Sequence, residues 1–266
     1  MTSSRLALSL SPLTTAAAST EEDVALCHHV GLDHLGISMA KLATGDAAAT
    51  ERAIGASGLT VDIVYPAAGL HLRTPSSWDS ARAALLGALD VATRLGAGAV
   101  LLPAGAAGGL LWDDAVDAFA AAVEPVIAAA EGTGVRLLLE PVRPQFAYAT
   151  FVHTFRDGIE LARRFGLGLV FDVTHCWWEP ALADLVAGAA DLVGTVHVAD
   201  LMLDRPVISR VVPGDGDLPL AAVLGLLVET GYDGPFELEL IGPAIDEEGP
   251  AAAVARAVEY LTSLPA

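Results

Sequence analysis

Four polar side chains stand at or just beyond the ends of successive apolar segments in the second half of the chain. The segments read Leu-Leu-Leu-Glu, Leu-Val-Phe-Asp, Thr-Val-His and Phe-Glu-Leu-Glu, and the four residues are Glu140, Asp172, His197 and Glu239. An unpaired carboxylate among buried apolar residues is costly, and a shared cation removes that cost. The pattern therefore predicts one bound divalent metal ion. Because the set is rich in oxygen, Mn²⁺ is the expected ion, with Mg²⁺, Co²⁺ and Zn²⁺ as alternatives.

Each of these residues, taken alone, also has an ordinary structural interpretation. Glu140 could cap a turn or pair with Arg143. Asp172 could begin a helix, since Asp is favoured where a loop enters one. A lone His197 is more often a hydrogen-bonded core residue than a ligand. The metal interpretation depends on all four residues occurring in order on four consecutive strands.

The elements that must position these residues alternate along the chain. Apolar runs typical of a parallel sheet covered on both faces predict strands over Leu6–Leu10, His34–Ser38, Thr60–Tyr65, Ala99–Pro103, Arg136–Glu140, Gly168–Asp172, Gly194–Val198 and Phe236–Leu240. Helices are predicted over Trp78–Leu95, Asp113–Glu131, Thr154–Phe165, Leu220–Thr230 and Glu248–Leu264, and four of them are followed by the glycine that commonly ends a helix.

This alternation predicts an α/β fold, a (β/α)8 TIM barrel in a single domain over residues 1–266, because such barrels take about 250 residues. The alternative is an open doubly wound sheet, but no Gly-x-Gly-x-x-Gly turn follows the first predicted strand. Active sites of (β/α)8 barrels lie at the carboxyl ends of the strands, where the four residues stand.

Composition limits the classes of partner. The chain has 33 acidic and 14 basic residues and a formal net charge of −19, so nucleic acid and anionic membrane are not expected as partners. Cys27 and Cys176 are too few for a disulfide framework, and no signal peptide is evident, so a cytoplasmic localisation is expected. The expected partner is a small-molecule substrate. Outer helices rich in Ala are also compatible with a homodimer or homotetramer.

The motifs around these residues resemble those of the xylose isomerase-like TIM barrel superfamily, and within it the sugar phosphate isomerase/epimerase family. They are Leu139-Glu140-Pro141, Asp172-x-x-His175, Val196-His197-x-x-Asp200, Val212-Pro213-Gly214-x-Gly216-Asp217 and Gly231-Tyr-Asp-Gly-Pro-Phe-x-Leu-Glu239. The resemblance covers most of the chain and implies a single divalent ion on the four residues. Glu237 and Glu239 should face the same side of their strand. One of the two could be a salt-bridge partner, and the family register implies that Glu239, not Glu237, is the ligand.

The resemblance also implies roles for individual side chains. Glu140 and Glu239 would flank the substrate carbon and move its proton as catalytic residues. His175 would contact a substrate oxygen, and Arg210, shortly before the Pro-Gly stretch, would also bind substrate. As alternatives, His175 could support a ligand carboxylate and Arg210 could lie on the surface. Trp178, one of two adjacent tryptophans, could stack on a substrate ring.

These features predict a metal-dependent isomerase or epimerase that abstracts a proton next to a carbonyl of a keto sugar, cyclitol or related polyol. A metal-dependent dehydratase, or lyase, of an inosose or cyclic keto acid is the alternative on the same scaffold. A non-catalytic metal-binding scaffold is the third interpretation. Endonuclease members need additional histidines after the third and fourth strands, where this chain has Tyr65-Pro66 and Pro103-Ala104, so that activity is not expected.

Overall fold

The computed structural model describes residues 6–204 and 209–264, and eight of its strands close into a parallel barrel. The strands run over Ala7–Leu10 (β1), His34–Ser38 (β2), Thr60–Tyr65 (β3), Ala99–Leu102 (β4), Arg136–Leu139 (β5), Gly168–Asp172 (β6), Val193–Val198 (β7), Asp200–Met202 (β8), Ser209–Val211 (β9) and Pro235–Leu238 (β10). The barrel order is β1-β10-β7-β6-β5-β4-β3-β2, and neighbouring strands pair in parallel. The predicted (β/α)8 barrel is confirmed, and each predicted strand occurs within two residues of its expected bounds.

Helices connect the strands and cover the barrel. They run over Thr20–Val30 (α1), Met39–Leu42 (α2), Ala47–Ser57 (α3), Trp78–Leu95 (α4), Trp112–Ala130 (α5), Phe155–Phe165 (α6), Val173–Cys176 (α7), Leu182–Ala189 (α8), Leu220–Glu229 (α9), Pro243–Glu248 (α10) and Pro250–Ser263 (α11). The bounds of α4 match the prediction, and α4 and α6 end at glycines in the left-handed conformation, as expected. The prediction of one helix over Glu248–Leu264 is wrong at its start. Pro250 opens a new helix there, after α10 has ended at Glu248.

The chain leaves the barrel after β7 and forms a small antiparallel hairpin of β8 and β9. The carboxylate of Asp200 organises this excursion by accepting backbone N–H groups from four residues, which are Leu201, Gly214, Gly216 and Leu218. In the hairpin Leu201 pairs with Arg210. The Asp200 and Pro-Gly motifs therefore have a structural role, because they hold the strand that carries Arg210.

Apolar side chains form two layers of core. A small cluster inside the barrel comprises Ile63, Tyr65, Ala99, Leu138 and Val170. A much larger cluster lies between the strands and the surrounding helices. In the described part of the chain, no helix is long and apolar enough to cross a membrane.

His34 and Asp62 form an ion pair on β2 and β3, with His34 Nδ1 lying 2.9 Å from Asp62 Oδ1. The hydrogen bond to Asp62 raises the pKa of His34, and partial burial opposes the rise. Because the folded-state pKa is the higher one, the pair stabilises the fold fully below the unfolded-state value, about 6.5. That contribution is lost as the pH rises through the folded-state pKa.

We therefore expect Asp62→Asn to lower the free energy of unfolding by less than about 1 kcal/mol at pH 6, and by less still at pH 9. Urea unfolding at both pH values measures the difference. Asp184→Asn, at an exposed aspartate of α8, is the matched control and should show no such change between the two pH values. A destabilisation by Asp62→Asn that grows between pH 6 and pH 9 would contradict the assigned pair.

Candidate metal centre

Strand register brings three chemically active residues to one level of the barrel. Asp172 of β6 pairs with His197 of β7, and His197 pairs with Glu237 of β10. Glu239 follows two residues after Glu237 and faces the same side of the chain, while Glu140 follows directly after β5. Because all these strands are parallel, their carboxyl ends meet at one mouth of the barrel.

Four side chains converge at this mouth to form a carboxylate–histidine cluster, which comprises Glu140, Asp172, His197 and Glu239. One potential ligand atom from each of the four lies within 4.8 Å of every other. The Nδ1 atom of His197 is 3.1 Å from Glu140 Oε1 and 3.6 Å from Glu239 Oε1. It is 3.9 Å from Asp172 Oδ2. The structure thus brings together the four residues predicted from the sequence, and their role as metal ligands stays a prediction.

The charges of the cluster fit a divalent cation. Burial raises the pKa of Glu140, and Glu239 and Asp172 add to the rise while His197 opposes it. The pKa of Asp172 is held below its usual value, because Arg210 and the nearby histidines outweigh the opposite effect of burial. Three carboxylates face Arg210 and His197 in a largely buried site, so acidic groups outnumber basic ones there. A divalent ion held by these residues would balance that excess of acidic groups.

His197 is oriented by groups on its other ring nitrogen. Its Nε2 atom lies 3.1 Å from Glu237 Oε2 and 2.9 Å from the hydroxyl of Tyr65, and that hydroxyl donates a 2.5 Å hydrogen bond to the same Glu237 oxygen. The Tyr65 hydrogen is thereby used, so Nε2–H donates to Glu237, and Nδ1 is the ring atom that faces Glu140 and the cluster. Burial opposes protonation of His197, but Glu239 and Glu140 outweigh it and raise its pKa, so a bound metal ion would take the place of the Nδ1 proton. The sequence left a salt-bridge role open for Glu237 or Glu239, and Tyr65 has a contact here that the sequence did not predict.

Arg210 of β9 is buried beside the cluster and does not lie on the surface. Its Nη2 atom donates to Asp172 Oδ2 at 2.6 Å and lies 3.3 Å from His175 Nε2. Its Nη1 atom donates to the carboxylate and, at 3.0 Å, to the backbone oxygen of Glu239. Arg210 therefore fixes two predicted ligands from the side of the hairpin.

A comparison with known protein families identifies the family to which this barrel belongs. The sequence profile described as xylose isomerase-like TIM barrel matches residues 21–264, which is most of the chain. The chain belongs to the xylose isomerase-like TIM barrel family. The resemblance to this family that the sequence motifs indicated is therefore confirmed. A comparison with proteins of curated function gives no match.

Solved structures share the fold of this family member along nearly their whole length. Protein SMc04130 from Sinorhizobium meliloti 1021 is 24% identical, with a TM-score of 0.87, and the match covers 97% of this chain and 98% of that one. IOLI protein with a bound zinc atom is 20% identical, with a TM-score of 0.81 and coverage of 96% of both chains. The 3-keto-D-glucoside 4-epimerase YcjR from E. coli is 19% identical, with a TM-score of 0.80 and coverage of 97% and 99%.

A cavity of about 350 Å³ opens beside the cluster of this xylose isomerase-like barrel. Two cluster glutamates, two arginines, a histidine and several apolar side chains share its wall, which comprises Glu140, Val142, Arg143, Phe146, His175, Ser209, Arg210, Glu239, Ile241, Gly242 and Pro243. Its volume falls in the range of small-molecule sites. Two residues predicted to bind substrate, His175 and Arg210, thus line this cavity, and their role in binding stays a prediction.

His175 is nearly fully buried at the wall of this cavity. Burial lowers its pKa to about 4; Asp172 opposes the shift, and Arg210 and Arg143 add to it. The imidazole is therefore neutral at neutral pH. Its Nε2 atom also lies 3.7 Å from Asp172 Oδ2, so the alternative that His175 supports a ligand carboxylate has a structural basis as well.

The structure does not bring Trp178 into the cavity wall. The residue is 43% exposed, and its indole N–H donates to the backbone oxygen of His175 at 2.9 Å. Stacking of Trp178 on a substrate ring stays a prediction. Cys27 and Cys176 are both buried and carry free thiols.

Proposed function

We propose that this protein is a divalent-metal-dependent isomerase or epimerase. It would move a proton on the carbon next to the carbonyl of a keto sugar, cyclitol or related polyol. One observation carries the proposal. Glu140 and Glu239 lie in the same small cluster and line the same cavity, yet they follow strands separated by β6 and β7. Two carboxylates that reach one site from different sides can act on two faces of one substrate carbon.

Two of the structures that share the fold support this class of chemistry. YcjR is described as a 3-keto-D-glucoside 4-epimerase, and the IOLI protein holds a zinc atom. By analogy, the cluster would hold one divalent ion in this chain, with Mn²⁺ as the expected metal. When bound, the ion supplies Lewis-acid polarisation of a carbonyl, which makes the adjacent C–H bond more acidic.

The protein's own residues divide the remaining work. One carboxylate, of Glu140 or Glu239, accepts the proton from the substrate carbon, and the other donates a proton in return. Return to the opposite face of the same carbon inverts its configuration, whereas return to the neighbouring carbon gives isomerisation. His175 and Arg210 would hold substrate oxygens, and the apolar wall, which includes Phe146, would exclude water from the reacting face.

Proton exchange in D₂O tests the proposal. We expect Mn²⁺-loaded protein to introduce deuterium at the carbon next to the carbonyl of a keto sugar or inosose, with no loss of mass from the carbon skeleton. Mass spectrometry of the recovered substrate and product measures this. Loss of one water from the substrate would instead indicate the dehydratase. Absence of both exchange and water loss across open-chain and cyclic ketoses, sugar acids and cyclic keto acids would contradict catalysis of this kind.

Metal removal should abolish the activity. We expect protein treated with EDTA and then desalted to lose exchange activity by at least about 100-fold, because the carbonyl is no longer polarised. Added Mn²⁺ should restore the activity, and parallel additions of Mg²⁺, Co²⁺ and Zn²⁺ would rank the metals. Full activity in protein whose metal content is verified as negligible by elemental analysis would contradict the mechanism.

A further inference from the structure

The cavity wall contains a buried arginine that has no acid partner among the residues that the structure describes. Arg143 is 8% exposed, and its Nε and Nη1 atoms are buried without a hydrogen-bond acceptor. Among residues 6–204 and 209–264, no ion pair joins Arg143 to Glu140, the pairing that the sequence left open. The guanidinium instead lies over Phe146, with Cζ 5.8 Å from the ring centroid.

The second arginine of the cavity shows the contrast. Arg210 is as well buried as Arg143, but its guanidinium donates to the carboxylates of Asp172 and Glu239. A buried charge without a partner lowers the stability of the fold, and an acceptor on a bound ligand would remove that cost. Arg143 lines the cavity, and its Nη2 is not among the atoms buried without a partner, so a ligand in the cavity can reach the guanidinium there.

A further unpartnered donor lies on the same wall. Arg210 can only donate, so the 3.3 Å contact between its Nη2 and His175 Nε2 makes Nε2 the acceptor. The proton of the neutral ring is then on Nδ1, which is buried and has no partner. His175 also packs edge-on against Phe146, with ring centroids 5.6 Å apart. Arg143, Phe146 and His175 thus form one continuous stretch of wall, and two of its side chains have donors with no acceptor among the described residues.

We propose that this stretch binds a carboxylate of the substrate, so that the substrate is a sugar acid or cyclic keto acid rather than a neutral sugar. This inference rests on the proposed function, because it assigns the other end of the substrate to the carboxylate–histidine cluster. One unpaired guanidinium and one imidazole N–H match the single charge of a carboxylate. A phosphate dianion would call for a second cation or a set of backbone N–H groups.

Binding of three ring-shaped probes tests the assignment. Cyclohexanecarboxylate, its neutral carboxamide and cyclohexyl phosphate would be titrated calorimetrically into both metal-free and Mn²⁺-loaded protein. We expect the carboxylate to bind about 10- to 100-fold more tightly than the carboxamide, since the charged acceptor satisfies the buried donors. Arg143→Gln should reduce that preference to about twofold or less, and Arg143→Lys should retain part of it. Arg52→Gln, at an exposed arginine of α3, should leave it unchanged.

The possible results separate this inference from the proposed function. Equal binding of carboxylate and carboxamide, tighter binding of the phosphate, or a preference that survives in Arg143→Gln would each overturn the carboxylate site. The affinity of Arg143→Gln for Mn²⁺ should match that of the wild type, which also shows that the variant folds. A preference dependent on Arg143 in protein that catalyses no proton exchange would support this site while the proposed function fails. Proton exchange without that preference would support the proposed function and overturn the carboxylate site.

Discussion

Replacing Glu239 with glutamine is expected to reduce kcat/KM for proton exchange by about 10³-fold or more. The substitution keeps the size of the side chain but removes a base, and general acid–base groups typically contribute 10²- to 10⁴-fold. It also removes a charged member of the cluster and the acceptor of the Arg210 ion pair. Steady-state assays at saturating Mn²⁺ would measure the loss, because an amide oxygen can still ligate the metal weakly.

Glu140→Gln is the companion variant, and it should be impaired to a similar degree if both carboxylates move protons. With a substrate deuterated at the reacting carbon, each variant can be tested separately for abstraction and for return of the label. Glu259→Gln, at an exposed glutamate of α11, is the matched control and should retain wild-type activity. Retention of more than about a tenth of the activity by Glu239→Gln would show that Glu239 is not a base in this reaction.

Replacing Glu237 with glutamine is expected to weaken Mn²⁺ binding by about 10- to 100-fold, the usual cost of losing a partner behind a metal ligand. Glu237 contacts His197 Nε2 from within the barrel and so fixes which ring nitrogen faces the cluster. An amide in its place no longer offers a charged acceptor. Titration of metal-free protein with Mn²⁺, followed by electron paramagnetic resonance, would give the affinity.

The variants Glu237→Gln and Glu239→Gln should therefore lose activity for different reasons. High Mn²⁺ should restore most of the activity of Glu237→Gln, because this residue positions a ligand, but it should not restore Glu239→Gln. Tyr65→Phe removes only the hydroxyl that donates to Glu237, so a smaller loss of affinity is expected. Unchanged Mn²⁺ affinity in a folded Glu237→Gln protein would mean that His197 is held in place without Glu237.

Some helices escaped prediction although the sequence contains signals for them. The segment of α1 has no continuous apolar stripe, but Ser19 and Glu22 form a capping box, each accepting the backbone N–H of the other. A Ser-x-x-Glu pattern before a helix is readable in the sequence. Similarly, Asp46 caps the start of α3 and Gly58 ends it. The capping residues at the helix ends predict these helices, whereas hydrophobic periodicity alone does not.

The sequence by itself determined the barrel and the residues of the cluster. Strand-forming apolar runs recur at regular spacing, and a polar residue at the carboxyl end of a parallel strand has only one end of the barrel to occupy. Glu140, Asp172, His197 and Glu239 could therefore be grouped without coordinates. These patterns are local, because each depends only on the residues of one strand and its end.

Only the tertiary structure decided which side chains support that cluster and which stay unpaired. Tyr65 reaches Glu237 from β3, across 172 positions of sequence, because barrel closure and strand register bring the two together. Arg210, for which the sequence left a surface location open, is buried on β9 of the hairpin. Arg143 follows β5 closely and yet has no acid partner in the described part of the chain. Such contacts depend on how the strands close and on the direction of each side chain, and no local pattern encodes either.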